Sequence, residues 1–304
     1  MQHGDITHIP PSPRPGITRD TYPFINTQSI PSYMTSGTLA MIACPILEDE
    51  MVYSILKDRE EKKIYLLRNK NTDTLIPKLK HSNIEYTGID EDDFLKGKVR
   101  ISDGGYSIVI WMMDIGLHSE PKNLGDTIRD ELVRIDGRVD GIALYYGLCG
   151  NGLLGILDWC KETLKTPVTI FTDGHGKICD DCICVPLGSS ENYLKLIRRY
   201  PGVMYLTPAM ACSQDEFMAS QDLFKGAEVS GMTPQEYMKF MLDLADYKYA
   251  LKIDTGMGDQ EHFQEECEKY VKKYDLQLKE LEKDWISSDA ADRIYSEAKS
   301  FLKE

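Results

Sequence analysis

Short apolar runs punctuate the chain between residues 39 and 206, and segments with apolar residues at helical spacing separate them. Leu39–Ala43 (LAMIA), Lys63–Leu67 (KIYLL), Ser107–Met112 (SIVIWM), Gly141–Tyr146 (GIALYY), Val168–Phe171 (VTIF) and Val203–Leu206 (VMYL) each have the length of a buried strand. The stretches between them read as helices: Glu48–Leu56, Leu75–Leu79, Leu124–Ile135, Leu153–Leu164 and Asn192–Arg199. In the third of these, Leu124, Ile128, Leu132 and Ile135 recur at the period of one helix face. Alternation of this kind predicts an α/β fold: a mainly parallel sheet of Rossmann-like strand–turn–helix units with a helical C-terminal cover. After about Gln214 the chain turns helical and charged, broken by one strand at Tyr249–Ile253, and the last forty or so residues predict solvated helices over the core.

Three regions follow from this pattern. Residues 1–36 read as an extended arm, because Met1–Met34 is rich in Pro, Ser and Thr and lacks any apolar period. Such an arm either clasps a partner subunit in a homo-oligomer or hangs free. Residues 37–225 form the α/β core, and residues 226–304 a mostly helical region that packs on it.

Charge narrows the class of partner. Asp plus Glu number 49 against 35 Lys plus Arg, a net charge of -14. Such a surface repels phosphate backbones and anionic lipid heads, so neither nucleic acid nor membrane is expected as a partner, and a small-molecule substrate is. No apolar run is long enough to span a bilayer, and the first twenty residues lack the apolar stretch of an export signal. A cytoplasmic protein is expected, and its eight cysteines then stay reduced and need another account.

Cys44 follows the first strand directly, Cys149 lies in the turn after GIALYY, and Cys182 lies in the loop region after VTIF. In a parallel sheet these positions reach one edge, the carboxyl ends of the strands, where ligands collect. Three thiolates converging there suit zinc or an iron–sulfur cluster and leave one coordination position open. Packing alone accounts for any single buried cysteine, so the argument rests on all three falling in turns. Cys160 and Cys267 sit in predicted helices and read as structural, and Cys212 follows a strand as a possible fourth ligand. Cys179-Asp180-Asp181-Cys182 is formally a C-x-x-C, but no second pair exists to make a zinc knuckle, and two acids between the thiols oppose a redox motif.

Around these cysteines, Gly147-Leu148-Cys149-Gly150-Asn151-Gly152 is a tight turn whose free amides suit an anion or a thiolate, and a helix starting at Leu153 predicts a lowered Cys149 pKa. Gly150, Asn151 and Gly152 are therefore candidate substrate-binding residues. Asp181 reads as a helix cap or a site acid, His118 as a ligand-binding or surface residue, and Thr255, in the Asp254-Thr255-Gly256 turn, as part of a site rim.

Several segments resemble the uncharacterised DUF1638 family: IACPILEDEM (Ile42–Met51), LHSEPKNL (Leu117–Leu124), YYGLCGNGL (Tyr145–Leu153), DDCICVPLGS (Asp180–Ser189), PGVMYLTPA (Pro201–Ala209) and KIDTG (Lys252–Gly256). Order and rough spacing match over about Leu39 to Gly256; after Ala209 the chain departs from the Gly-Trp of the family pattern. The resemblance implies that Cys44, Cys149 and Cys182 are the family cysteines and Cys179, Cys184 and Cys212 additions, and it adds Ser189 to the substrate-binding candidates. It further implies a setting among genes for corrinoid-dependent methyl transfer in anaerobic archaea and bacteria. The expectation is a metal- or [4Fe-4S]-dependent transferase or lyase of anaerobic one-carbon metabolism, with a corrinoid as a possible cofactor. The alternative is a non-enzymatic accessory protein that binds a corrinoid, a corrinoid protein or a methyltransferase.

Overall fold

Six parallel strands run through the middle of the computed structural model, which describes residues 35–101, 104–214 and 223–303, the side chains of residues 118, 119 and 223–225 aside. They are β1 (Gly37–Ala43), β2 (Lys63–Arg68), β3 (Thr87–Asp90), β4 (Tyr106–Met112), β5 (Gly141–Tyr145) and β6 (Val168–Ile170), in the order β3-β2-β4-β1-β5-β6. β1 pairs with β4 from Gly37↔Tyr106 to Ala43↔Met112 and with β5 from Leu39↔Gly141 to Ala43↔Tyr145. All of β4 and β5, and all of β1 after Gly37, is buried. That is why these strands read as continuous apolar runs without alternation: both faces are covered, so neither can be polar.

The helices are α1 (Glu48–Lys57), α2 (Leu75–His81), α3 (Glu91–Leu95), α4 (Pro121–Ile135), α5 (Ile156–Thr163), α6 (Cys184–Leu187), α7 (Ser190–Arg199) and α8 (Pro208–Cys212), followed by Leu223–Ser230, Pro234–Leu244, Gln260–Tyr274 and Asp289–Lys299. α4 buries the predicted stripe of Leu124, Ile128, Leu132 and Ile135. The mainly parallel α/β fold expected from the sequence is the one observed. A second sheet of three parallel strands, β7 (Val203–Leu206), β8 (Tyr249–Lys252) and β9 (Gln277–Glu280), carries a small core of its own around Phe263, Cys267 and Tyr270.

Three local expectations are corrected. α5 starts at Ile156 rather than Leu153, because Gly155 takes a positive φ of 72°, which no right-handed helix admits. β3 and β9 escape sequence reading because TGID and QLKE are four residues long, and a glycine or polar residues break any pattern. The last helix is not solvated: Ala290, Ala291, Ile294, Tyr295 and Ala298 are buried where it packs on α1, β5 and β6. The arm expected over residues 1–36 lies, as far as Met34, outside the described residues. Among the described residues, no helix is long and apolar enough to cross a membrane.

The strand order creates two crevices. From β1 the chain moves toward the β3 edge, to β2, whereas from neighbouring β5 it moves the other way, to β6. Outgoing connections thus part between β1 and β5, and parallel sheets bind ligands above the carboxyl ends at such a parting. They part again between β2, which leads to β3, and β4, which leads to β5.

The last helix should be essential to the main core. Ile294 is 1% exposed, so Ile294→Ala is expected to lower the free energy of unfolding by about 2–5 kcal/mol. Urea denaturation of the purified protein checks this; a change within error would mean that the helix is dispensable cover.

Candidate functional site

Cys44 is the first residue beyond β1. Its amide donates to the Tyr145 carbonyl at 3.3 Å, extending the β1–β5 ladder by one rung, and its own carbonyl accepts the Leu47 amide at 3.0 Å. Pro45 opens the 3-10 turn Pro45–Leu47 and holds Cys44 extended, with φ -73° and ψ 139°. Cys149 lies four residues past β5. Its loop is laced to the Cys182 loop by backbone bonds: the Leu148 amide donates to the Cys179 carbonyl (2.8 Å) and the Cys149 amide to the Asp180 carbonyl (2.9 Å). Gly147 makes this approach possible, since a Cβ there would stand 2.8 Å from the Cys179 carbonyl oxygen and 3.0 Å from the Asp181 backbone. Asp181 Oδ1 then accepts the amides of Ile183 and Cys184, both at 2.9 Å, and turns the chain past Cys182 into α6.

The three thiols thus come from separate loops into one another's electrostatic reach at the carboxyl ends of the strands. Burial raises the pKa of each. Cys44 is pushed far up, first by desolvation and then by Cys149. Cys182 is also pushed far up, by desolvation and then by Asp181, Cys149, Cys44 and Glu50. Cys149 rises to about 11. The lowering expected for Cys149 from a helix start does not occur, because the helix begins further on and desolvation dominates. Backbone amides oppose the rise in two places, that of Ile46 at Cys44 and that of Gly147 at Cys149. Cys149 and Asn151 also sit in the left-handed region, at a cost of roughly 1 kcal/mol each.

Two neighbours carry no signal in the sequence reading. Tyr146, 2% exposed, stands in the field of Cys44, Cys149 and Asp114, and its buried hydroxyl has no hydrogen-bond partner. Glu50, 4% exposed, faces Cys182 and Tyr145, and burial followed by Asp49 pushes its carboxyl up from 4.5 to about 8. The adjacent acids Glu48 and Asp49 are buried against Lys78, whose ammonium lies 2.9 Å from Glu48 Oε1 and 2.6 Å from Asp49 Oδ2. The signal that could have found this group is three acids in succession directly behind a buried strand, where a solvated helix start has no place.

The other candidates have different duties. Gly150 and Asn151 are the exposed tip of the turn, while Gly152 packs on the Pro121 carbonyl so closely that only a glycine fits. Asp181 acts as the cap described above. Ser189 caps α7 through the Asn192 amide (3.1 Å) and borders a separate cleft of about 280 Å³ with His175 and Arg293. Thr255 lies beyond β8 in the second sheet, its hydroxyl accepting the Met257 amide at 3.3 Å. His118 follows β4 in the 3-10 turn Ile115–Ser119, and its side chain is outside the described residues. Cys179 and Cys184 engage each other, with Cys184 Sγ 3.6 Å from Ser190 Oγ, and Cys212 stands beside Lys78 and Asp49. Among the described residues, no three or more His, Cys, Asp or Glu side chains form a group that could hold a metal ion as they stand.

The sequence profile of a family described as a protein of unknown function (DUF1638) matches residues 112–286, more than half of the chain. The matched span includes the Cys149 and Cys182 loops and begins after Cys44. Neither the curated proteins nor the solved structures offer a match.

Two measurements test the geometry. Gly147→Ala must push the Cys149 and Cys182 loops apart and is expected to cost about 1–3 kcal/mol of stability in chemical denaturation; an unchanged midpoint would mean that the contact is slack. Glu50 binds its proton more tightly folded, at about 8, than unfolded, near 4.5. Its contribution to stability is therefore full below about pH 4.5 and is lost as pH rises through about 8. Glu50→Gln should flatten the pH dependence of the melting temperature across that window.

Proposed function

The chain belongs to the DUF1638 family, and on that footing we propose that it is a cysteine-ligated metalloprotein in which Cys44, Cys149 and Cys182 together hold an iron–sulfur cluster or zinc. What supports this reading is that Cys44, Cys149 and Cys182 come from three loops at the carboxyl ends of the sheet beside the crevice between β1 and β5, with Cys149 in the field of both others. As thiolates in a dry pocket they would repel one another strongly, and a bound cation removes that cost while tying the loops together.

Other features fit the same group. The amides of Ile46 and Gly147 are directed at two of the sulfurs, the kind of hydrogen bond that tunes a cluster. The Tyr146 hydroxyl is buried without a partner next to the same two cysteines, as a donor reserved for a bound group would be. A mononuclear zinc, with metal–sulfur bonds of about 2.3 Å, needs its thiolates nearly in contact. When bound through three cysteines, such a cluster supplies an iron with one open position for a substrate atom. With such a group bound, Tyr146 would offer it a hydrogen bond, Glu50 would hold a proton at its carboxyl, and the close Gly147–Cys179 approach would keep the Cys149 and Cys182 loops together. The reaction class we assign is a transferase or lyase of anaerobic, corrinoid-linked methyl metabolism.

Anaerobic purification followed by iron, sulfide and zinc analysis and a visible spectrum decides the matter. Replacing Cys44, Cys149 or Cys182 with Ala should release most of the metal and lower the melting temperature, whereas Cys160→Ala and Cys267→Ala should leave metal content unchanged. A colourless, metal-free protein would sink the reading, and corrinoid binding by that protein would favour an accessory role. Tyr146→Phe adds a second readout. In metal-free protein it removes a buried hydroxyl without a partner and should be neutral or stabilising by about 1 kcal/mol. In loaded protein it should retain the metal but alter the spectrum.

A further inference from the structure

The second crevice, where the connections of β2 and β4 part, holds a cleft of about 180 Å³ lined by Pro45, Lys70, Asn71, Asp73, Thr74 and Ile115. Lys70 to Thr74 form the loop after β2, Ile115 follows β4, and Pro45 is bonded to Cys44, so one wall of the cleft is the back of the cysteine loop. Two residues of the polar lining, Lys70 and Asn71, keep donors to spare. The exposed Lys70 ammonium pairs with Asp114 and keeps two of its three N–H groups for other acceptors. Asn71 Nδ2 spends one N–H on a long, 3.4 Å contact with the Met112 carbonyl and keeps the other. The Thr74 hydroxyl proton is committed to Glu48 at 3.0 Å. Pro45 and Ile115 supply the apolar side. Asp114 links the cleft inward, since it also lies in the field of Tyr146, whose hydroxyl lacks a partner. At about 30 Å³ for each water-sized unit, the cleft has room for roughly six non-hydrogen atoms.

We infer that this cleft takes a short-chain carboxylate, its anion on Lys70 and Asn71 and its chain lying on Pro45 and Ile115 beside Cys44. The inference deepens the proposal of a cysteine-held centre and rests on it only for what the chain end of the ligand meets; the carboxylate site itself does not depend on a metal. Lys70, shared with Asp114, supplies the cation, and the exposed Asp73 in the same lining opposes anions generally, so a singly charged carboxylate is favoured over polyanions.

The test titrates propionate, with propylamine as its cationic counterpart of the same size, into the full-length protein by calorimetry. Propionate is expected to saturate one site and propylamine to show no saturable binding. Lys70→Ala, at an exposed position that does not threaten folding, should weaken propionate by about tenfold, the loss of one charge-assisted bond, and Lys70→Arg should restore most of it. Equal or tighter binding of propylamine, propionate binding that ignores Lys70→Ala, or no saturable propionate binding would each overturn the inference. Cys44→Ala separates the two proposals. Lys70-dependent propionate binding that survives in this metal-free variant supports the cleft even if the cysteine reading fails, and a metal-bearing wild type without propionate binding removes the cleft alone.

Discussion

Strand β1 is paired along both edges, and nothing after Gly37 in it reaches water. A strand held this way cannot slide: a slip of one residue would exchange the two faces of its side chains and break both ladders together. Its end is consequently a fixed point, and Cys44 inherits that fixity through the amide it gives to Tyr145. From there the position of Cys149 follows, because β5 is the neighbour that β1 holds in register, and Cys182 follows from Cys149 through the two backbone bonds at Cys179 and Asp180. The candidate site is thus a chain of backbone hydrogen bonds that starts in the sheet, with side chains added at its links.

At the three thiols and Glu50, desolvation outweighs the local attractions. Cys44, Cys182, Glu48, Asp49 and Glu50 are buried near the strand ends, with Cys149 and Lys78 partly buried beside them. Of the acids and thiols, only Glu48 and Asp49 pair with an internal counter-charge, that of Lys78, and removing one partner from such a buried pair ordinarily costs about 3–5 kcal/mol. The thiols and Glu50 remain neutral by holding their protons. A pocket built this way resists charge until something positive enters it, and the uptake of a cation and the release of protons then become one event.

Much of the fold was legible because β1, β4 and β5 are covered on both faces and so appear in the sequence as unbroken apolar runs. The ends of those runs also located Cys44 and Cys149. β3 and β9 were illegible because an edge strand of four residues leaves no period to read. The acids Glu48, Asp49 and Glu50 looked like an ordinary helix start, since their burial depends on Lys78 of α2 and on the loops after β5 and β6, none of which local sequence reports. Tyr146 was hidden for a related reason: as the last residue of an apolar run it read as one more strand residue, whereas its hydroxyl points among the cysteines. The environment of Cys149 was misjudged because the left-handed Gly155 delays the helix to Ile156, and because burial of the loop depends on segments distant in the chain.

At the far end of β1, Ser36 and Lys303 exchange two backbone hydrogen bonds of 2.8 and 3.1 Å. This bridge ties the segment before β1 to the segment after the last helix, at the amino edge of the sheet. The seven residues of β1 separate this seam from Cys44, a distance of roughly 26 Å at about 3.3 Å per residue step. β1 is thus anchored at both ends, at the amino edge by this bridge to the segment after the last helix and at the carboxyl edge by the bond from Cys44 to Tyr145, so strain introduced at either end is carried along a buried strand to the other.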